Sequence, residues 1–357
     1  MNESFYNYNV SNVSRKIFGR VNAKSIQLRR QWDVWDYSLF MLLIFALIGN
    51  TLTILVMRRN RMKKTNANLF LRCMALADIS VLTLKFLIFL QKLYRIPVYQ
   101  FCIFAIVIAD ISVFMGHWLI IVTTIERCIA VRYPLDVSQI VTKKRCWIVI
   151  VIVIAFFAML SSTQILCLEA RFDEPHYCKI KGVLDESNLR FYYLRTVYPY
   201  IKFAFMSWLP SLLSIILNLL IIVSLTSANK NTDTITEASS EARRNAVVLN
   251  KSDLNPLLEN NWRNKRLEMQ IAQERQITFM LVAISFSFVV LTLPFSIYEL
   301  LRKLYPHEQK FKNRTVQRVV LFLFDCLHAT NFILYCLTGK KFRIELKNFF
   351  KSLIKRK

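Results

Sequence analysis

Several side chains carry charge into surroundings that make charge costly: Asp78, Lys85, Asp110, Glu126, Arg127, Lys202, Glu299 and Asp325 all lie in or at the edge of long apolar runs. An ionised group in such a setting is expected to pair with another, face water, or mark a pathway or switch. The stretch TTIERCIAVRYPL, residues 123–135, sets Glu126 beside Arg127 where one run gives out. An adjacent acid and base can form a charge-assisted pair, or can simply snorkel to water and cover a helix end. Hydrolytic or metal chemistry needs converging groups, whereas His117, His176, His307 and His328 are scattered without metal-binding spacing. Neither a cofactor nor a metal is expected, nor an intramembrane enzyme.

The elements that hold these groups follow from composition and periodicity. With 55% hydrophobic and 20% charged residues in 357, and a mean hydropathy of +0.35, the chain is greasier than a soluble protein of its size. Its formal charge of +25 would suit a nucleic-acid binder only if Lys and Arg shared one solvated face. They bracket apolar blocks instead, which fits loops at a lipid surface and no nucleic acid. Runs long enough to cross the bilayer, about 20 residues each, fall at 37–57, 69–91, 102–125, 147–167, 198–225, 276–301 and 316–338. The expected fold is an all-α membrane protein, a seven-helix bundle over 37–338. Residues 1–36 form an outer tail, about 227–273 a flexible cytoplasmic loop, and 339–357 a further helix and tail. MNESFYNYNV has neither the basic start nor the apolar core of a signal peptide.

Sidedness follows from Lys and Arg in short loops. RRNRMKK (58–64) and the loop bearing Arg132, Lys143, Lys144 and Arg145 belong in the cytoplasm, so the N-terminus lies outside. Arg29, Arg30 and the basic residues between 302 and 314 count against that assignment. Sequons at Asn2, Asn9 and Asn12 support it as outer glycosylation sites, with Asn313 a fourth. Of the 8 cysteines, Cys102 and Cys178 are the two on the oxidising side. They can join and pin the outer loop over the bundle, the alternative being two unrelated thiols. From Cys102 to Arg127 a helix rises roughly 38 Å, which puts Glu126 and Arg127 at the cytoplasmic surface.

In order and spacing the chain resembles the rhodopsin-like family of G-protein-coupled receptors. The likeness rests on Gly49-Asn50, MALAD ending at Asp78, Cys102, Glu126-Arg127, Trp147, Pro210, Phe288, Pro294, and Asn331 with Tyr335. GKKFR (339–343) opens a basic amphipathic stretch with Phe342, Leu346, Phe349, Phe350 and Leu353, similar to the family's eighth helix lying on membrane lipid. The resemblance implies an extracellular ligand, a heterotrimeric G protein, and arrestin and a receptor kinase as cytoplasmic partners. It also implies that Arg127 is held when inactive by Glu126 and by an acid at the inner end of span six. Glu274, twenty residues before Pro294 and so about 30 Å inward along a helix, fits that place. Outward movement of span six would free Arg127, with Pro210 and Pro294 permitting distortion.

Departures alter this pattern. Cys128 and Asn218 replace tyrosines, Thr292 a tryptophan and Phe332 a proline. Asp78, Asn50 and Asn331 match the family's sodium site, but Gly116 replaces its hydroxyl residue and His328 can pair with Asp78 instead. Ala109 stands where amine receptors carry aspartate, and Asp325 where opsins carry the Schiff-base lysine, which disfavours both classes. NFILYCLTGKKFR (331–343) resembles invertebrate neuropeptide receptors similar to FMRFamide and myosuppressin receptors. Asp110, Lys202, Tyr298, Glu299 and Asp325 are the expected ligand-binding residues: separated charges suit a long polar peptide, with arginine to meet the acids. A chemosensory receptor for small molecules is the alternative. A carrier is disfavoured because no repeat pairs the two halves.

Overall fold

The computed structural model describes residues 33–59, 62, 66–94, 99–133, 136–170, 178–180, 189–226, 254–305, 307–308 and 313–355. Within these, the side chains at 91–94, 99–102, 167–170, 178–180, 191, 194–195 and 254–275 are not described. Seven helices are long and apolar enough to cross a membrane: α1 Val34–Met57, α2 Ala67–Tyr94, α3 Tyr99–Arg132, α4 Lys143–Cys167, α5 Tyr198–Thr226, α6 Leu254–Leu304 and α7 Arg314–Thr338. Helix α8, Lys340–Ile354, follows.

Three boundaries have a clear local cause. Asp33 caps α1 by accepting from the amides of Trp35 and Asp36, while Asp36 returns a carboxylate to the Asp33 amide. Asn313 caps α7 by accepting from the amides of Thr315 and Val316. Gly339 makes the corner between α7 and α8, because a Cβ there would lie 2.7 Å from the Tyr335 carbonyl oxygen. The corner turns Phe342 inward, where it is buried beside Phe332 and Tyr335, with ring centroids 6.0 and 5.5 Å apart. Of the α8 residues expected on lipid, Phe342 therefore belongs to the core, whereas Phe350 and Leu353 are exposed.

α3 is the central post. Of its apolar window 61% is buried, against 22% for α4 and for α5, whose exposed Trp147, Val151, Leu212 and Val223 form outer faces. One apolar cluster, including Met74, Leu119, Ile284, Phe288 and Tyr335, joins α2, α3, α6 and α7. A second, with Val81, Phe114, Phe157, Met206 and Phe324, ties in α4 and α5, and Phe114 stacks on Phe157 at 4.6 Å. Gly49 lets α1 approach α7 around Phe332, since a Cβ on Gly49 would meet the Phe332 Cβ at 2.9 Å. The residue that departs from the familiar proline is thus accommodated by a glycine on the facing helix.

Two features differ from the sequence expectation. The segment expected as loop to residue 273 is helical from Leu254. Leu254, Leu257, Leu258, Leu267 and Ile271 recur at helical spacing, but the intervening polar residues hide the period from a composition argument. A short antiparallel ribbon, β1 Leu168–Ala170 with β2 Cys178–Ile180, adds strand to an otherwise helical fold.

Candidate functional site

At one end of the bundle Arg127 donates to Glu126 from Nε and from Nη2, both at 2.5 Å. The residues are 3% and 5% exposed, so this is a buried bidentate pair rather than a snorkelling helix end. One turn deeper, Thr124 of α3 meets Ser285 of α6, Oγ to Oγ, at 3.0 Å. Each hydroxyl also lies within hydrogen-bond distance of its own helix, Thr124 to the Ile120 carbonyl at 2.8 Å and Ser285 to the Leu281 carbonyl at 2.9 Å. Two hydroxyl protons therefore serve three contacts, and one contact is always without a proton. A small, mostly apolar cavity lined by Leu71, Met74, Ile120, Leu281 and Ile284 adjoins the pair. Thr124→Val keeps the side-chain shape and removes the contact to α6. Because such a hydrogen bond is worth about 0.5–1.5 kcal/mol, the variant should lower the thermal stability of the solubilised protein by that amount. Unchanged thermal stability would make the contact incidental.

At mid-depth Asp78 is 3% exposed. Its Oδ1 accepts from His328 Nδ1 and its Oδ2 from Asn331 Nδ2, each at 2.8 Å. Asn50 Nδ2 donates to the His328 carbonyl at 3.0 Å, which brings α1 to the same knot. The hydroxyl of Tyr335 is buried without a partner among the described residues. The His328 ring lies parallel to His117 at 6.2 Å, and His117 meets the edge of Phe288 at 4.9 Å.

Pro210 explains how α3 grips α5. It lacks the N–H that would bond the Met206 carbonyl four residues back, and α5 widens into a π-helical turn at Ala204–Trp208. The freed Met206 carbonyl accepts from His117 Nδ1 at 2.5 Å, and the Phe205 carbonyl from Trp118 Nε1 at 2.9 Å. Pro294 likewise lies inside α6, where Val290 loses its helical donor. Two residues later Thr292 would have replaced the usual tryptophan, and its hydroxyl bonds back to the Phe288 carbonyl at 2.7 Å.

Toward the opposite end from Arg127, the expected ligand residues form ion pairs. Lys202 of α5 pairs with Asp110 of α3, and Asp110 Oδ2 also accepts from Gln164 Nε2 at 3.0 Å and from the Tyr198 hydroxyl at 3.1 Å. Lys85 of α2 pairs with Asp325 of α7 and sits 5.0 Å from the Phe324 ring centroid. Glu299 accepts from Arg302 at 2.7 Å within α6, while Tyr298 is buried and donates to the Asn313 carbonyl at 3.2 Å. Lys85, Gln164, Tyr198 and His117 were not among the expected ligand residues. A lysine seven residues beyond Asp78, amid the apolar run VLTLKFLIFL (81–90), was the available signal for the first of them.

On α8, Glu345 is 3% exposed and accepts from Arg59 Nε at 3.0 Å, fastening that helix to the end of α1. The backbone of Glu274 lies in α6, but its side chain is outside the described residues, as are those of Cys102 and Cys178. Cys178 opens β2, and the ribbon runs beside α3. Asn2, Asn9 and Asn12 also lie outside the described residues.

Comparison with known proteins agrees with this architecture. The profile of the 7 transmembrane receptor (rhodopsin family) matches residues 49–334. A candidate G-protein coupled receptor of Caenorhabditis elegans is 24% identical over 333 residues, covering 85% of this chain and 70% of that one. The crystal structure of squid rhodopsin superposes with a TM-score of 0.66 at 16% identity, covering 90% of this chain and 85% of the other. A family match over residues 49–334, on a bundle of seven helices long and apolar enough to cross a membrane, makes this a multi-pass membrane protein belonging to the rhodopsin family of seven-transmembrane receptors.

Proposed function

We propose that this protein is a plasma-membrane receptor that binds an extracellular peptide in the half of the bundle bearing Asp110, Lys202, Tyr298, Glu299 and Asp325, and activates a heterotrimeric G protein at the end bearing Arg127. The N-terminus is outside and carries glycans at Asn2, Asn9 and Asn12; the C-terminus is cytoplasmic. Arrestin and a receptor kinase act on the same inner face. The observation that carries the reading is the buried, bidentate Glu126–Arg127 pair: a charge held out of water at the end of the central helix is a latch that an opening bundle would release. The interhelical ion pairs at the other end support a polar, extended ligand over a lipid, and a neuropeptide is the chemical class we favour.

The test is a peptide library applied to cells expressing the full chain, read through a promiscuous G protein, followed by nucleotide exchange on the purified heterotrimer. Silence from peptides with strong responses to small odours would move the ligand to the chemosensory class. Substrate flux without exchange would make the protein a carrier.

A Cys102–Cys178 bond belongs to the same proposal, since it would tether β2 to the outer end of α3. Cys102→Ala and Cys178→Ala should each lower surface receptor or peptide affinity, on the scale of the roughly 2–4 kcal/mol that a disulfide contributes, and the double variant should be no worse than either single one. Wild-type surface level and affinity in both single variants would remove the bond.

A further inference from the structure

The two ion pairs in the half of the bundle opposite Arg127 are not symmetrical in what they offer a ligand. Depth along the helices places them above one floor. Asp110 lies seven residues from His117, Lys202 four from Met206, whose carbonyl His117 holds, and Asp325 three from His328. At 1.5 Å per residue these are about 10, 6 and 4.5 Å from the stacked histidines, all on the side away from Arg127. The floor itself holds the buried His117 Nε2 and Ser207 Oγ, neither with a partner among the described residues.

In both pairs the acid is the shielded member. Side-chain exposure is 34% for Lys202 against 9% for Asp110, and 29% for Lys85 against 13% for Asp325. A lysine reaches further than an aspartate in any protein, so exposure alone decides little; hydrogen-bond capacity decides more. Asp110 has both oxygens engaged, Oδ1 by Lys202 and Oδ2 by Gln164 and Tyr198. An ammonium has three donors, and each lysine uses one on a carboxylate among the described residues. A cationic ligand would have to prise a lysine from each acid and replace it, whereas an acceptor group adds to donors that are already there and exposed.

We propose that Lys85 and Lys202 recognise an anionic group of the ligand, a carboxylate held at this end of the bundle by ammonium donors whose own acids hold them in place. The proposal rests on the receptor reading above and names the ligand chemistry it takes. The carboxylate can be a peptide's free C-terminus or acidic side chain, or a small organic acid. Asp110 and Asp325 position the lysines, and Gln164 and Tyr198 position Asp110.

The test uses full-length receptor in membranes with two probe sets. One is a synthetic peptide library in which every sequence is made as the free acid and as the C-terminal amide; the other is the C4 to C6 dicarboxylates succinate, glutarate and adipate. Binding is read as thermal stabilisation of the receptor, and activation as nucleotide exchange on purified G protein. Active free-acid peptides should exceed their amides by about tenfold or more, as loss of a shielded charge-assisted contact requires; stabilisation by the dicarboxylates alone would assign the site to small acids. Lys85→Met and Lys202→Met strand a carboxylate and can misfold, so the pairs are also removed whole, as Lys85→Met with Asp325→Asn and Lys202→Met with Asp110→Asn. Both double variants should abolish the preference for the acid, and Lys85→Arg and Lys202→Arg should keep part of it. Equal potency of acid and amide, an acid preference that survives both double variants, or stabilisation by no probe overturns the proposal. An amidated or cationic agonist that drives exchange overturns it while leaving the receptor reading intact. A carboxylate that stabilises the protein without exchange on any G protein keeps the anion site and overturns the receptor reading.

Discussion

If Glu126–Arg127 is the latch proposed above, Glu126→Gln will raise ligand-independent nucleotide exchange by about tenfold or more. The substitution keeps the side-chain shape and one acceptor oxygen for Arg127, but removes the charge that two 2.5 Å contacts engage. Hydrogen bonds to charged groups contribute about 1.5–3 kcal/mol when buried, and leaving a buried charge uncompensated costs about 3–5 kcal/mol. On that proposal both penalties fall on the arrangement in which Arg127 is 3% exposed and are relieved where this end of the bundle opens to water or to a partner. Since about 1.4 kcal/mol is a factor of ten, even half of the smaller penalty moves the population severalfold. The same variant should be less thermostable, which separates release of a latch from a general gain in expression. Glu274→Ala should also raise basal exchange, on the proposal that this acid shares with Glu126 the hold on Arg127. Basal exchange equal to the parent in Glu126→Gln, at matched surface density, would mean the pair is a structural plug and not the element that ligand biases.

What could be read from sequence, and what could not, divides by the range of the interaction. Seven spans, the further helix opening at GKKFR and the place of Glu126–Arg127 near the end of α3 follow from runs of apolar residues and a fixed rise per residue, which are local quantities. The pairing of Asp110 with Lys202 and of Asp325 with Lys85 joins residues 92 and 240 positions apart, and no local rule chooses among the partners that seven helices offer. A sequence reading therefore finds costly charges and assigns them to a ligand, where the bundle first matches them with each other. The helical turn count hides a second feature: Pro210 announces a lost hydrogen bond, but only the packed structure shows that the freed Met206 carbonyl goes to His117. Polar composition misled in the remaining place, because 254–273 is helical despite reading as loop.

Asp78→Ala is expected to be the most destabilising single change in the middle of the bundle, about 3–5 kcal/mol, for a reason that also bears on ions. It strands the Nδ1–H of His328 and the Nδ2–H of Asn331, at 1% and 2% exposure, without the carboxylate oxygens that accept them. By the scaling for folded domains this corresponds to a loss of about 10 °C in thermal inactivation of the solubilised receptor. If the cost arises at the carboxylate–imidazole contact, His328→Phe should lose less, and the double variant should be more stable than the sum of the two by about 1 kcal/mol or more. Strict additivity would locate the cost elsewhere. The same geometry predicts indifference to sodium. Each carboxylate oxygen already accepts an N–H at 2.8 Å, and a side chain at position 116 would start only 3.9 Å from Asp78 Oδ1, so glycine there leaves the carboxylate without a neighbouring hydroxyl to complete a cation's oxygen shell. A cation would have to share the carboxylate with the donors of His328 and Asn331, whose N–H dipoles point at the same two oxygens and oppose it. Thermal stability and basal exchange measured in sodium chloride and in choline chloride at equal ionic strength should therefore coincide; a stabilisation by sodium that disappears in Asp78→Asn would show that the imidazole yields its place to the ion.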